Sequence, residues 1–131
     1  MTVLDTSAVV DYLLGGGVAK QIHALMAAED EFAAPDLLIF EVLAVLRRDT
    51  LRGALGEDRA NGAVEDLGDL PIDLFPSLPL RQRAWALRRN FTAADALFVS
   101  LAEQLDEPLA TTDRAFAAEA AKHADVTVLE P

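Results

Sequence analysis

The sequence predicts an α/β fold, a three-layer α/β/α sandwich built on a five-stranded parallel sheet. Three observations predict it. Five short apolar runs alternate along the chain with helical patterns long enough to serve as crossovers, and parallel strands require connections of that kind. Glycine, proline and Asx punctuation separates the runs, and no repeat, low-complexity tract or linker interrupts them. Two of the runs end in an acid beside a hydroxyl residue, at Asp5 and at Asp113. If a doubly wound chain leaves strand 1 on one side and later returns on its other side, strands 1 and 4 flank the switch point. Both acids then face one crevice outside the carboxyl ends of the strands.

Val3-Leu4 forms the first strand and runs into Asp5-Thr6-Ser7, where a charge sits between two apolar segments. Asp5 is there either to cap the next helix or to form part of a site. Ala8 to Leu14 reads as a short helix stopped by Gly15-Gly16-Gly17, and Val18 to Ala28 as the next. The triplet follows a helical pattern and lacks the G-x-G-x-x-G spacing and a following Lys-Ser/Thr, so it reads as a loop rather than a phosphate cradle.

Glu31 to Ala34 is the second strand, closed by Pro35. Asp36 is then expected to cap the most apolar helix of the chain, Leu37 to Leu46, in which Glu41 is the one ionisable group among ten positions. A lone buried carboxylate costs several kcal/mol unless it is paired, protonated or bound to a cation. The bland alternative places Glu41 in line with Ala44 and Arg48 on a wet helix face.

Gly53 and Gly56 end that segment, and Glu57 to Leu67 is a more polar helix whose nearby acids Glu65, Asp66 and Asp69 are most simply solvated. Ile72 to Phe75 is the third strand, ended by Pro76. Ser77 is expected to cap a helix through Arg89, with Pro79 tolerated in its first turn; Trp85 and Leu87 suit core packing better than base stacking, because no second aromatic on that helix makes a platform. Thr92 and Asp95 are spaced almost as a capping box at the start of a helix to about Leu105. Pro108 to Thr111 is the fourth strand, Thr112-Asp113 opens a helix from Arg114 to Lys122, and Val126 to Leu129 is the fifth strand.

At 131 residues and 52% hydrophobic, the chain is expected to be a single domain, residues 1–131, able to bury a core without staples. It has no cysteine, which removes disulfides and thiolate metal sites and fits a reducing cytosol. No apolar run approaches the ~18 residues of a membrane span, and no positive flank of a signal peptide precedes the first run, so a soluble, cytoplasmic protein is expected. The net charge of −11, from 22 acids against 11 bases, argues against a broad positive surface for nucleic acid. Seven of the nine arginines nevertheless fall in two groups, Arg47, Arg48 and Arg52, and Arg81, Arg83, Arg88 and Arg89.

Asp5, Glu41, Asp95 and Asp113 each start an element or interrupt an apolar run. If they converge, they repel one another too strongly for all four to stay ionised without a counterion. Oxygen-only donors, with no Cys and no histidine partner, favour Mg²⁺ or Mn²⁺ over Zn²⁺. Such an ion lowers the pKa of bound water and stabilises the oxygens of a phosphodiester under attack. Thr6, Ser7 and Thr112 are expected to hydrogen-bond these carboxylates or metal-bound waters. Other chemistries fit worse: His23 and His123 lie in helical patterns without a nucleophilic serine beside them. An aspartyl phosphotransferase wants a second acid where Ser7 stands, and a receiver-type phospho-acceptor wants a lysine that Lys20 and Lys122 do not supply.

Taken as a set, Leu4-Asp5-Thr6-Ser7, Phe40-Glu41-Val42, Thr92-Ala93-Ala94-Asp95-Ala96 and Ala110-Thr111-Thr112-Asp113-Arg114-Ala115-Phe116 resemble the PIN-domain ribonucleases, most closely the toxin subunits of VapBC-type toxin–antitoxin pairs. The resemblance spans the chain from its first strand to its last. It implies a parallel sheet of order 3-2-1-4-5 and Mg²⁺- or Mn²⁺-dependent endoribonuclease activity. It also implies a homodimer and inhibition by a small antitoxin that reaches the acidic pocket. By position the family's acidic quartet falls on Asp5, Glu41, Asp95 and Asp113, with Asp5 and Asp95 the most direct metal ligands. Arg47, Arg48, Arg88 and Arg89 are then expected to guide RNA past an otherwise acidic surface. The rival readings are a catalytically silent PIN-like module that binds protein, and a metal-dependent phosphatase.

Overall fold

The structure, a computed structural model, describes residues 1–130. Its sheet holds β1 (Thr2–Leu4) at the centre, β2 (Phe32–Pro35) and β3 (Ile72–Phe75) to one side, and β4 (Leu109–Thr111) and β5 (Val126–Val128) to the other. All neighbours pair in parallel, in the order β3-β2-β1-β4-β5. The five strands and their order are those expected from the sequence.

Seven helices connect them: α1 (Thr6–Leu13), α2 (Ala19–Ala28), α3 (Leu37–Leu51), α4 (Glu57–Leu67), α5 (Arg81–Ala86), α6 (Ala93–Leu105) and α7 (Arg114–Ala120). The chain steps one way from β1 to β3 and the other way from β3 to β5. Right-handed crossovers therefore carry α1 to α4 over one face of the sheet and α5 to α7 over the opposite face. Accordingly α1 packs on α2, α3 and α4, whereas α6 lies across β1, β2 and β4 with α5 against it. Every residue of β1, β2 and β4 is buried, the pattern of strands covered on both faces. Helix α6 is buried without a break through its middle, from Phe98 to Ala102, and Ser100 satisfies its hydroxyl on the Ala96 carbonyl at 2.7 Å.

Several local expectations are corrected. Pro35 is the last residue of β2 rather than its stop. Phe32 and Asp36 donate their N–H groups toward β3, so the nitrogen of Pro35 faces β1, where pairing has already ended at Ala33. Asp36 does not cap α3 through its side chain; its carboxylate accepts from the Ser77 hydroxyl instead. Ser77, so engaged, caps no helix, and the expected helix from Ser77 to Arg89 is a single 3-10 turn, Leu78–Leu80, followed by the short α5. Leu87 is buried as expected, but Trp85 is 68% exposed. The core stripe of this segment is Leu80, Ala84, Leu87 and Phe91, and Trp85 lies one position off its phase. His123 lies just beyond α7, which ends at Ala120.

The Gly15-Gly16-Gly17 loop has a steric reason. Gly15 adopts φ +67°, and a Cβ on Gly16 would collide with the carboxylate of Asp11, which accepts the Val18 N–H at 2.9 Å. The loop is folded back on α1 by its own aspartate.

Leu109 is fully buried in β4 between Val3 and Val126. Replacing Leu109 by alanine is expected to lower unfolding free energy by about 2–5 kcal/mol in urea titrations.

Candidate active site

Asp5 stands one residue past β1 and caps α1, its Oδ1 accepting the Ala8 N–H at 3.0 Å. Asp113 stands two residues past β4 and caps α7 in the same way, accepting the Phe116 N–H at 3.0 Å. Because β1 and β4 are neighbours across which the connection reverses direction, the two caps meet at the switch point. Glu41 reaches the same place from the second turn of α3, and Asp95 from the first turn of α6. All four acids line one cavity of about 530 Å³.

Two further acids, Asp11 and Asp49, line this cavity. Each is already committed. Asp11 holds the glycine loop, and Asp49 is bridged at 3.2 Å by both Arg48 and Arg52. The four that remain come from four different elements and have no cationic partner among the described residues.

Hydroxyl groups fix two of these carboxylates. Thr6 donates to Glu41 at 2.5 Å, so the alcohol beside Asp5 orients the acid from the neighbouring helix. Ser7 donates to Asp5 Oδ1 at 2.7 Å. Thr112, expected to act in the same manner, instead contributes its backbone N–H to Ser7 Oγ at 3.2 Å. The hydroxyl that grips Asp5 is that of Thr111, which the sequence reading passed over. Fully buried, it donates to Asp5 Oδ2 at 2.5 Å and accepts the Asp113 N–H at 3.0 Å. Thr111 thus connects both strand-end acids through one oxygen. Register alone selects it: Leu4 pairs with Ala110, which sets Asp5 beside Thr111 rather than Thr112. Only an assumed pairing of β1 with β4 would have revealed it from sequence.

Asp5 is 7% exposed. Burial pushes its carboxyl above the ordinary aspartate range, against the lowering influence of Thr111, the Ala8 N–H and Ser7, with Asp95 adding repulsion. Asp95 is also raised, by burial first and then by the Glu41 carboxylate, with Asp113 contributing and the Thr92 hydroxyl opposing. The repulsion expected from the sequence is therefore present between these groups. The four carboxylates share a cavity without closing on a point: among the described residues no three Asp, Glu or His side chains form a ligating cluster as they stand. By donor chemistry they suit a hard divalent cation, since every available donor is oxygen and like charges face one space.

The expected arginines are dispersed. Arg48 lines the cavity, 62% exposed at its mouth. Arg47 points into a separate groove between α3 and α4, Arg88 stacks on Trp85, and Arg89 is exposed nearby in sequence.

An acid-lined crevice at the switch point of a doubly wound parallel sheet defines an α/β protein whose site lies at the strands' carboxyl ends, furnished with oxygen donors for a cation. The chain belongs to the PIN-domain family, which it matches over residues 2–122. Ribonuclease VapC1 of Mycobacterium tuberculosis is 40% identical over 117 residues, 88% of each chain. The crystal structure of PAE2754 from Pyrobaculum aerophilum shares the fold at a TM-score of 0.72 and 21% identity, over 95% of this chain and 87% of that one. A member of the VapBC family of toxin–antitoxin systems, VapBC-5 from Mycobacterium tuberculosis, gives 0.57 and 22%, over 99% and 98%.

Two outcomes follow from this geometry. Thr111→Val keeps the shape but removes a donor from the buried Asp5 carboxylate and the acceptor of the part-buried Asp113 N–H, and is expected to cost about 1–3 kcal/mol in thermal or urea unfolding. Asp95 titrates higher in the folded chain than in the unfolded one, so between those two values the folded state holds the extra proton. Stability then falls as pH rises through that window, and the loss is complete at neutrality. Asp95→Asn in EDTA is expected to raise the melting temperature at neutral pH and to lose this advantage below about pH 4. Equal melting temperatures of the two proteins across that range would refute the electrostatic account.

Proposed function

We propose that the protein is a Mg²⁺- or Mn²⁺-dependent endoribonuclease, acting as the toxin of a VapBC-type pair in the cytoplasm. The observation that carries this reading is the convergence of Asp5, Glu41, Asp95 and Asp113, from four elements, on one cavity. Membership of the PIN-domain family and the similarity to ribonuclease VapC1 support it. Among the described residues no helix is long and apolar enough to cross a membrane.

In this reading Asp5 and Asp95 hold the cation most directly, and Glu41 and Asp113 complete its surroundings. A divalent ion held there would supply an activated water and charge stabilisation for hydrolysis of an RNA phosphodiester. The chain's own residues prepare that site. Thr111, Ser7 and the Ala8 N–H hold the Asp5 carboxylate in one orientation, and Thr6 does the same for Glu41. Burial and mutual repulsion raise Asp5 and Asp95, so a bound cation would offset the cost of holding both charges in one cavity. Arg48 lines the same cavity, already paired with Asp49.

The proposed partners are an RNA substrate, a cognate antitoxin and a second copy of the chain. For the homodimer, the supporting feature is three exposed apolar side chains, Phe40 of α3, Leu74 of β3 and Leu78, which are 72%, 44% and 71% exposed. The bond from Ser77 to Asp36 holds these segments together.

The test is cleavage of total cellular RNA by the purified protein with Mg²⁺. Cleavage is expected to stop with EDTA and to fall below detection in Asp5→Asn; activity that survives both would overturn the metal mechanism. Thr6→Val is expected to weaken Mg²⁺ dependence of the rate by about 10- to 100-fold, because the orienting bond to Glu41 is lost.

A further inference from the structure

The only tryptophan of the chain is exposed on α5. The Arg88 guanidinium lies over its ring at 4.6 Å and is held there by a bond to the Trp85 carbonyl at 3.0 Å. An indole left 68% in water forfeits burial that nearby Leu87, at 6%, obtains in full. Core packing gives no reason for Trp85. A shallow groove beside it is lined by Arg81, Ala84, Trp85, Arg88, Phe91, Ala93 and Leu97, with no carboxylate among them.

Charge sets this segment apart. Residues 74–94 contain no acid, the longest such run in a chain with 22 of them, and they carry four arginines. Arg83 is neutralised by Glu103 at 2.8 Å. Arg81, Arg88 and Arg89 form no ion pair among the described residues; Arg81 donates to the Leu78 carbonyl at 2.9 Å. On a protein of net charge −11, the unpaired guanidinium groups of Arg81 and Arg88 beside an exposed indole, with the exposed Arg89 next in sequence, complement an anion that also carries aromatic rings.

The groove also adjoins the acid-lined cavity through one helical turn. Ala93 and Leu97 of α6 face the groove, whereas Asp95 and Phe98 face the cavity. Positions 93 and 95 are about 200° apart around a helix, so the two sites occupy opposite sides of the amino-terminal turn of α6. A chain laid over that turn touches both.

We propose that Trp85, with Arg81, Arg88 and Arg89, is a nucleotide-binding platform for single-stranded RNA: the indole stacks an unpaired base and the arginines hold its flanking phosphates. The inference rests on the ribonuclease reading above and adds a substrate subsite to it. Stacking of this kind accepts any base, so the platform contributes affinity and position rather than sequence choice.

Because Trp85 is the sole tryptophan, its fluorescence reports the platform directly. In EDTA, where cleavage is excluded, titration with a short single-stranded oligoribonucleotide is expected to quench the emission. Inorganic polyphosphate of equal charge is expected to bind without that quenching. Trp85→Ala is expected to weaken binding, followed by anisotropy of a labelled oligonucleotide, by about 5- to 100-fold, with Trp85→Phe intermediate. In the Mg²⁺ assay the alanine variant should raise KM with little change in kcat. Replacing Arg81, Arg88 and Arg89 together by alanine should lower the slope of log affinity against log salt by about 2.

Unquenched emission in a protein that still cleaves RNA overturns the platform and leaves the ribonuclease standing. Quenching without Mg²⁺-dependent cleavage keeps the platform and removes the ribonuclease. A blue shift that depends on protein concentration alone, unaffected by RNA, would make this face a contact between copies and overturn the proposal.

Discussion

A carboxylate almost sealed from water, Asp5, sits between β1 and β4 and sets terms for everything near it. Left alone, such a charge costs several kcal/mol. Three donors offset part of that cost: the Thr111 hydroxyl, the Ser7 hydroxyl and the Ala8 N–H. Each comes from a place that only this topology supplies. Ser7 and Ala8 are available because α1 begins at once after β1, and Thr111 because β4 is the neighbouring strand in the register that pairs Leu4 with Ala110. Folding therefore aligns the carboxylate as a consequence of closing the central strand pair. Burial still prevails over those donors, since the carboxyl titrates above its ordinary range. The Asp5 carboxylate is thus held by three donors and short of positive charge, and a cation bound beside it would stabilise the folded chain.

Much of this was legible in the sequence, for reasons that can be separated. Strand count and parallel pairing follow from apolar runs joined by crossovers, and these were right to within a residue or two. Glu41 could be singled out because an acid inside ten apolar positions has no cheap local explanation, and Asp113 because it repeats the setting of Asp5. What was hidden depends on register or on competition between partners. Thr111 and Thr112 are equivalent by composition, and pairing with β1 decides which one faces Asp5. Asp36 and Ser77 both read as caps, but each found the other across the sheet edge, 41 positions away, and neither side chain caps a helix.

Trp85 is a different kind of miss. Leu80, Ala84, Leu87 and Phe91 already recur at spacings of four, three and four, and that stripe is the buried one. Trp85 is out of phase with it, so the periodicity contained the answer, and only the residue's bulk argued for the core. Size and hydrophobicity say what burial would contribute; phase says whether the backbone presents the side chain to the core at all. Where the two disagree, phase prevails in a helix whose neighbouring positions are fixed by several packed residues.

The same reasoning bears on how an acidic protein could handle an acidic polymer. A net charge of −11 repels RNA at long range, yet over a Debye length of about 8 Å at physiological salt only local charge counts. Around α6 the local charge is sorted by helix face: carboxylates on the side of Asp95, unpaired guanidinium groups on the side of Ala93. Acids gathered on one face suit a cation, and unpaired bases on the other suit phosphates. Intermixing them would neutralise both, as happens where Arg83 meets Glu103 and Arg48 meets Asp49. The absence of acids from residues 74–94 is therefore as much a part of the arrangement as the convergence of four of them on the cavity, because a single carboxylate on α5 could pair with the arginines and silence that face.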